Sequence, residues 1–337
     1  MYTLAPPWPG LAMLASRHRL WPLLANAGFR PQADLFHSLR AAGVTAEAAF
    51  RALAEPAWQD TTPRSGCLRA GEPHWPERLG TEKGAPVVLT FEGDRTLLDV
   101  PGVAIVGARN CTPYGRRQAG QLARSVADAG GVVVSGLARG IDSAAHEAAH
   151  GRTIAVLGQG LRAPMAAWQR RIRDSILDAG GLVLSELGPH THADVMTFPV
   201  RNRIIAGLAR AVVVVEAGVH SGSRNTARHA LDAGREVLAV PGPLDAPASA
   251  GCLDLIEEGA TVVRSAETVL RVAGLPMGPN PAPEGPLVPL LAQPRTPEEL
   301  VDATGLGWAE VMAQLGVLEL TGRAIRLPGR RYEVRRR

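Results

Sequence analysis

From residue 85 onward the chain alternates between two textures. Short continuous apolar runs, Val87–Phe91, Val103–Gly107, Val132–Gly136, Thr153–Gly158, Leu182–Glu186, Val212–Glu216 and Val237–Pro241, are separated by longer stretches with helical spacing. A strand that faces solvent on one side alternates apolar and polar residues. These runs do not alternate, so each strand is expected to be buried on both faces, as in a parallel sheet covered by crossover helices. Residues 85–275 therefore predict a doubly wound, mostly parallel α/β domain.

The flanks read differently. Between about Leu11 and Trp58, Leu20, Leu23, Leu24, Phe36, Leu39, Phe50 and Leu53 recur as candidate inward positions of a small helical domain. The polar, Gly- and Pro-containing stretch Asp60–Gly84 then reads as an irregular connection, so residues 1–84 form a helical domain plus linker. Residues 276–286 are too proline-dense for a helix or a central strand and predict an extended spacer.

Residues 287–337 read as a winged helix-turn-helix. Leu287–Gln293 is the first helix; Thr296, Pro297 and Glu299 spell a capping box for the second; Trp308–Thr321 makes the third. Ala324–Leu327 and Arg331–Val334, joined through Pro328-Gly329, fit a two-stranded wing.

Composition narrows the partner. Apolar residues make up 46% against 20% charged, a globular balance. The net charge of +4 is carried by arginine, Lys83 being the only lysine. Arginine's planar fork suits phosphate and stacks on bases, although a GC-rich genome produces the same bias. Cys67, Cys111 and Cys252 are isolated, with no metal-binding or disulfide spacing, which fits a reducing cytoplasm. Neither a leader pattern at the N-terminus nor an apolar run of roughly 18 residues is present, so export and membrane insertion are not expected.

Several strand ends run into turns that suit anions. Val103–Gly107 leads through Ala108-Arg109 to a helix beginning near Pro113, where free amides and the positive dipole end would face a ligand, with Arg109 at the rim. The next strand ends in Ser135–Asp142, followed by His146; that pair is spaced for acid–base or metal chemistry, but no third ligand or nucleophile can be placed beside it, and the favoured reading is Asp142 as a helix cap or loop clamp with His146 satisfied near it. Gly158–Ala163 matches G-x-G-x-x-A with Glu186 ending the following strand, the best case for a nucleotide cofactor, but the motif follows a middle strand and a lone match is weak.

Two further blocks carry recognition chemistry. In Phe198–Leu208, Arg201 and Arg203 flank Asn202 directly after an aromatic, giving phosphate forks, an amide and a stacking face; the alternative is an ordinary helix start with Phe198 in the core. Ser221-Gly222-Ser223 at a helix start offers hydroxyls and amides, to which Arg224 adds charge; the alternative is a plain cap.

In identity and order, VAIVGAR (103–109), SGLARGID (135–142) with His146, TIAVLGQGL (153–161), FPVRNRIIAGL (198–208), VVVVEA (212–217), SGSRNTA (221–227) and VPGPLDAPASAGC (240–252) resemble the core of the DNA processing protein A (DprA, or Smf) family. TPEELVDATGL (296–306) and residues 315–334 resemble its winged-helix domain, and the N-terminal region loosely resembles a sterile-alpha-motif-like domain. The resemblance implies an extended Rossmann-like core that dimerises and binds single-stranded DNA. It further implies loading of the RecA recombinase in place of single-strand-binding protein during natural transformation or repair, with no catalytic residue, metal or cofactor.

By motif match, DNA contact falls on Gly107, Arg109, Phe198, Arg201, Asn202, Arg203, Ser221 and Gly222, with Arg139 and Arg224 as further cations. Two departures touch that groove: Arg162-Ala163-Pro164 replaces an acidic residue and Tyr-Pro, and Arg224-Asn225 replaces an apolar pair. The rival reading is a nucleotide enzyme related to phosphoribohydrolases, whose P-G-G-x-G-T-x-x-E motif is not matched by Val215–Ser223.

Overall fold

The runs read as doubly buried strands are buried: Val103, Ile105, Val133, Ile154, Val183 and Val213 are all fully inaccessible. They belong to a computed structural model that describes residues 64–70, 74–79, 86, 88–194, 197–277, 286–291, 293–320 and 324–334. The expected helical domain, most of the Pro-rich spacer and Arg335–Arg337 lie outside the described residues.

The sheet contains β1 (Ser65–Arg69), β2 (Val88–Gly93), β3 (Gly102–Val106), β4 (Val132–Ser135), β5 (Thr153–Leu157), β6 (Leu182–Ser185), β7 (Ala211–Val214), β8 (Glu236–Ala239) and β9 (Thr261–Val262). Its spatial order is β1-β2-β6-β5-β4-β3-β7-β8-β9. From β6 to β9 neighbours are parallel, whereas β2 runs antiparallel to both β1 and β6.

The helices are α1 (Pro113–Asp128), α2 (Ile141–Ala148), α3 (Ala167–Asp178), α4 (Thr197–Leu208), α5 (Gly222–Asp232), α6 (Ala250–Glu257) and α7 (Ala266–Val272). Because strand side chains alternate, Val103, Ile105 and Val133 pack with Leu122, Val126 and Ala145 on the α1/α2 face, while Ala104, Val106 and Val134 pack with Ile204, Ile205 and Leu208 on the α4 face.

The connection expected over 60–84 is corrected. It contains β1 and a short 3-10 turn, Glu77–Leu79, and Leu68 and Leu79 are buried in the core, so the sheet begins before residue 85. An edge strand such as Ser65–Arg69 is held by backbone pairing to β2, and its side chains need not advertise it. The two-residue β9 escaped prediction for the same reason.

Strand order positions the site. From β3 the chain steps through β4 and β5 to β6, then returns past β3 to β7 and continues to β8. The loops leaving β3 and β7 therefore diverge to opposite faces and open a crevice at the carboxyl ends of the strands.

Residues 279–337 form a separate compact unit. It comprises α8 (Leu287–Leu290), α9 (Pro297–Thr304), α10 (Trp308–Leu320) and the hairpin β10 (Ala324–Leu327)/β11 (Arg331–Val334), as expected of a winged helix. The capping box is formed, with Glu299 N donating to Thr296 Oγ1 and Thr296 N to Glu299 Oε2. Its first helix stops short of the expected Gln293. Pro294 disfavours helix before it, and Arg295 instead bridges to Tyr332 of the wing.

Candidate nucleic-acid interface

At the crevice lies a cleft of about 400 Å³. Gly107 and Arg109 enter it from the β3–α1 turn, Ala138 and Asp142 from the β4–α2 turn, and Phe198, Arg201 and Asn202 from α4. Ser221 and Gly222 at the start of α5 close its remaining side. The turns are tight enough to need glycine: a Cβ on Gly107 would stand 2.7 Å from Ile141 and 2.9 Å from the Glu216 carbonyl oxygen.

The exposed Arg109 stacks on the half-buried Phe198, its guanidinium carbon 5.1 Å from the ring centroid. Gly158 makes room for that ring, since a Cβ there would meet Phe198 at 2.8 Å. On the opposite wall, the Ser221 side chain caps α5 by accepting from Ser223 N, and Gly222 is exposed with no atom near its missing Cβ. The N-terminus of α5, capped by Ser221, thus brings its positive dipole end to the cleft, with Gly222 adding no side chain over it.

Arg201 is the cleft's buried floor, only 6% exposed. Its Nη1 donates to the Gly136 carbonyl at 2.6 Å and also to that of Val156. Asp142 Oδ2 holds the same turn from the other side, accepting from Gly136 N at 3.1 Å and Ala138 N at 3.4 Å. A Cβ at Gly136 would lie 2.6 Å from Arg201 Nη1, so the glycine admits the guanidinium.

Burial lowers Arg201 to about 10, with the Asp142 charge opposing and Arg109 adding to the fall, so it stays cationic at neutral pH. Burial pushes Asp142 above the ordinary carboxylate range, against the pull of Arg201 and of the amides it accepts from. Asp142 is therefore the loop clamp anticipated from sequence rather than a helix cap, and His146 does not bond it. His146 Nδ1 meets Thr153 Oγ1 at 2.7 Å.

Three of the predicted cations lie outside the cleft. Arg203 does not line the cleft; its Nη2 pairs with the buried Glu186 at 2.6 Å. On a helix of 3.6 residues per turn, positions two apart point about 200° apart, so Arg201 and Arg203 cannot serve one groove. Arg224 is bound to Asp254 at 2.8 Å and Glu258 at 3.0 Å, which offset its charge. Arg139 is exposed outside the cleft, over the ring of Trp168.

The anion site expected at the start of α1 is occupied by the protein itself. Glu216 accepts from Thr112 N at 2.8 Å and from the Thr112 hydroxyl, and a Cβ on Gly115 would lie 2.3 Å from its carboxyl carbon. Nor does the Gly158–Ala163 turn offer a pyrophosphate seat. A Cβ on Gly160 would fall 1.9 Å from the Gly188 carbonyl oxygen, and Gly160 N donates to Thr191 O. Asn225, one of the departures noted near the groove, lines the cleft, as does Thr226, which was missed although its spacing from Gly222 puts it on the same helical face.

Residues 66–274 match the model of a family described as DNA recombination-mediator protein A, and residues 279–330 match that of the DprA winged helix domain. The chain is 44% identical to DNA processing protein DprA of Streptococcus pneumoniae over 58% of this chain and 70% of that protein. It is 36% identical to protein Smf of Escherichia coli over 81% and 79% of the two chains. Among solved structures, the X-ray structure of the Streptococcus pneumoniae protein superposes with a TM-score of 0.61 at 34% identity, covering 80% of this chain and 95% of that one. A structure of DNA processing protein A from Helicobacter pylori, concerned with its single-stranded DNA binding mode, superposes with a TM-score of 0.56 at 31% identity, covering 61% and 94%.

Proposed function

Because the chain belongs to the DNA recombination-mediator protein A family, we propose that it is a mediator of DNA recombination that holds single-stranded DNA in the cleft between the β3–α1 turn, α4 and the start of α5. The observation that carries this reading is the Arg109–Phe198 stack facing an open helix N-terminus across a cationic floor. A base can use the aromatic or guanidinium plane, while Arg109 and the amides of α5 meet phosphates. Neither group requires a particular base, as suits a protein that takes up arbitrary strands.

In this reading the protein acts as a homodimer in the cytoplasm, protects the strand in transformation or repair, and loads RecA in place of single-strand-binding protein. Against a nucleotide enzyme stand the carboxylate of Glu216 at the α1 N-terminus and the filled turn at Gly160.

Binding of oligo-dT across a salt series tests the cleft. Phe198→Ala is expected to weaken binding about tenfold, the value of one stacked base. Arg109→Ala is expected to do so while lowering the salt slope by roughly one. Both variants should lose acceleration of RecA assembly on strands coated with single-strand-binding protein. Equal affinity of wild type and both variants would place the DNA elsewhere.

The winged helix is proposed as a surface for protein contact. Its α10, the helix that would enter a major groove, has Glu310 and Glu319, no arginine or lysine, and exposed Trp308, Met312 and Val317. A chain ending at residue 278 is expected to keep its DNA affinity; loss of duplex binding on that truncation would overturn the assignment.

A further inference from the structure

A second arginine–aromatic stack lies outside the cleft. Arg139 is exposed and its guanidinium carbon sits 5.1 Å from the Trp168 ring centroid, the same separation as in the Arg109–Phe198 pair. Trp168, on the first turn of α3, rests partly on the cluster around Leu161 and Ile172 and is half-buried.

The two stacks hang from loops that touch. Ile141 N donates to the Ala108 carbonyl at 3.2 Å, and a Cβ on Gly140 would lie 2.3 Å from that oxygen and 2.6 Å from the Arg109 carbonyl oxygen. Leu137, inaccessible and held at a φ of 54°, is the point at which the chain turns; Ala138 then lines the cleft and Arg139 reaches Trp168. Gln169 Nε2 donates to the Leu137 carbonyl at 3.4 Å, tying α3 to the same turn. Beside Trp168 the exposed Arg170 and Arg171 precede the first acid of the helix, Asp174.

We propose that Arg139 and Trp168 form a second stacking station for single-stranded DNA, which carries the strand from the cleft across the β4–α2 turn onto the first turn of α3. This rests on the cleft reading above. Charge and continuity favour this occupant: the station is cationic, aromatic and open, and it adjoins the backbone of Arg109. A base arriving there stacks on the indole or on the guanidinium, and the arginine charge meets the adjoining phosphate. Both contacts are indifferent to sequence, so the station lengthens the site without making it selective.

The test compares short with long oligo-dT on the full chain. For Trp168→Ala, and for the exposed Arg139→Ala, which leaves the core untouched, the advantage of long over short oligonucleotide is expected to fall about tenfold. Trp168→Phe keeps a ring and is expected to retain most of the advantage, while DNA-induced quenching of tryptophan fluorescence drops. An undiminished long-oligonucleotide advantage in Arg139→Ala and Trp168→Ala, with binding still weakened in Arg109→Ala, overturns this station and leaves the cleft standing. A wild-type chain that binds no single strand overturns both.

Discussion

Arg201→Ala is expected to lower the stability of the core by about 3–5 kcal/mol, the cost of removing a buried cation from the carbonyls it bonds and from the nearby Asp142 carboxyl it offsets. For a protein with roughly 5–15 kcal/mol in hand, urea unfolding would move far toward the origin. The cost arises inside the fold. The carbonyls of Gly136 and Val156 lose their donor, and Asp142, already pushed toward its neutral form by burial, loses its cation. Adding Asp142→Asn removes the stranded charge, so the double variant is expected to recover a substantial part of the loss, a coupling that a double-mutant cycle measures. A purely DNA-contacting Arg201 predicts the opposite signature: unchanged urea unfolding and a shallower salt slope in DNA binding.

The second large effect is a dependence of stability on pH. With Thr153 Oγ1 donating to the Val133 carbonyl at 3.0 Å, the tautomer that satisfies both of its bonds has His146 Nδ1–H donating to it at 2.7 Å. Nε2 is then left bare and without a partner in the core. Burial, reinforced by the nearby Arg201 charge, brings the imidazole from 6.5 down to about 3.

A histidine with a depressed folded-state pKa contributes stability that is fully present above the unfolded value and is lost as pH falls toward the folded one. Relative to His146→Gln, wild type is therefore expected to lose about 1.4 kcal/mol per pH unit between 6.5 and about 3. Asp142, shifted upward, acts with the opposite sign, but it is present in both proteins and cancels in the comparison. Parallel stability curves for the two proteins over that range would refute a buried neutral His146.

Elements whose causes are local could be read directly from the chain. Strands buried on both faces write continuous apolar runs, and β3 through β8 fall where those runs predict. The capping box at Thr296 and Glu299 and the wing strands lie within a few residues of their own signals. The stacking aromatic Phe198 and the cap Ser221 were visible because each sits next to the helix start that it serves.

Strand order, by contrast, decided what each strand end meets. Placing β7 against β3 brought Glu216 to the start of α1, across more than a hundred residues, and converted an expected phosphate seat into an internal carboxylate contact. Helical rotation separated Arg201 from Arg203, and the segment 254–258 brought Arg224 two acids. The contact of the α3 start with the β4–α2 turn set Trp168 under Arg139. By itself the sequence determined where apolar faces and helix ends lie, because burial and capping act over a few residues. Only the tertiary structure decided which charges line the cleft and which face each other, because side chains far apart in sequence meet only once the sheet is assembled.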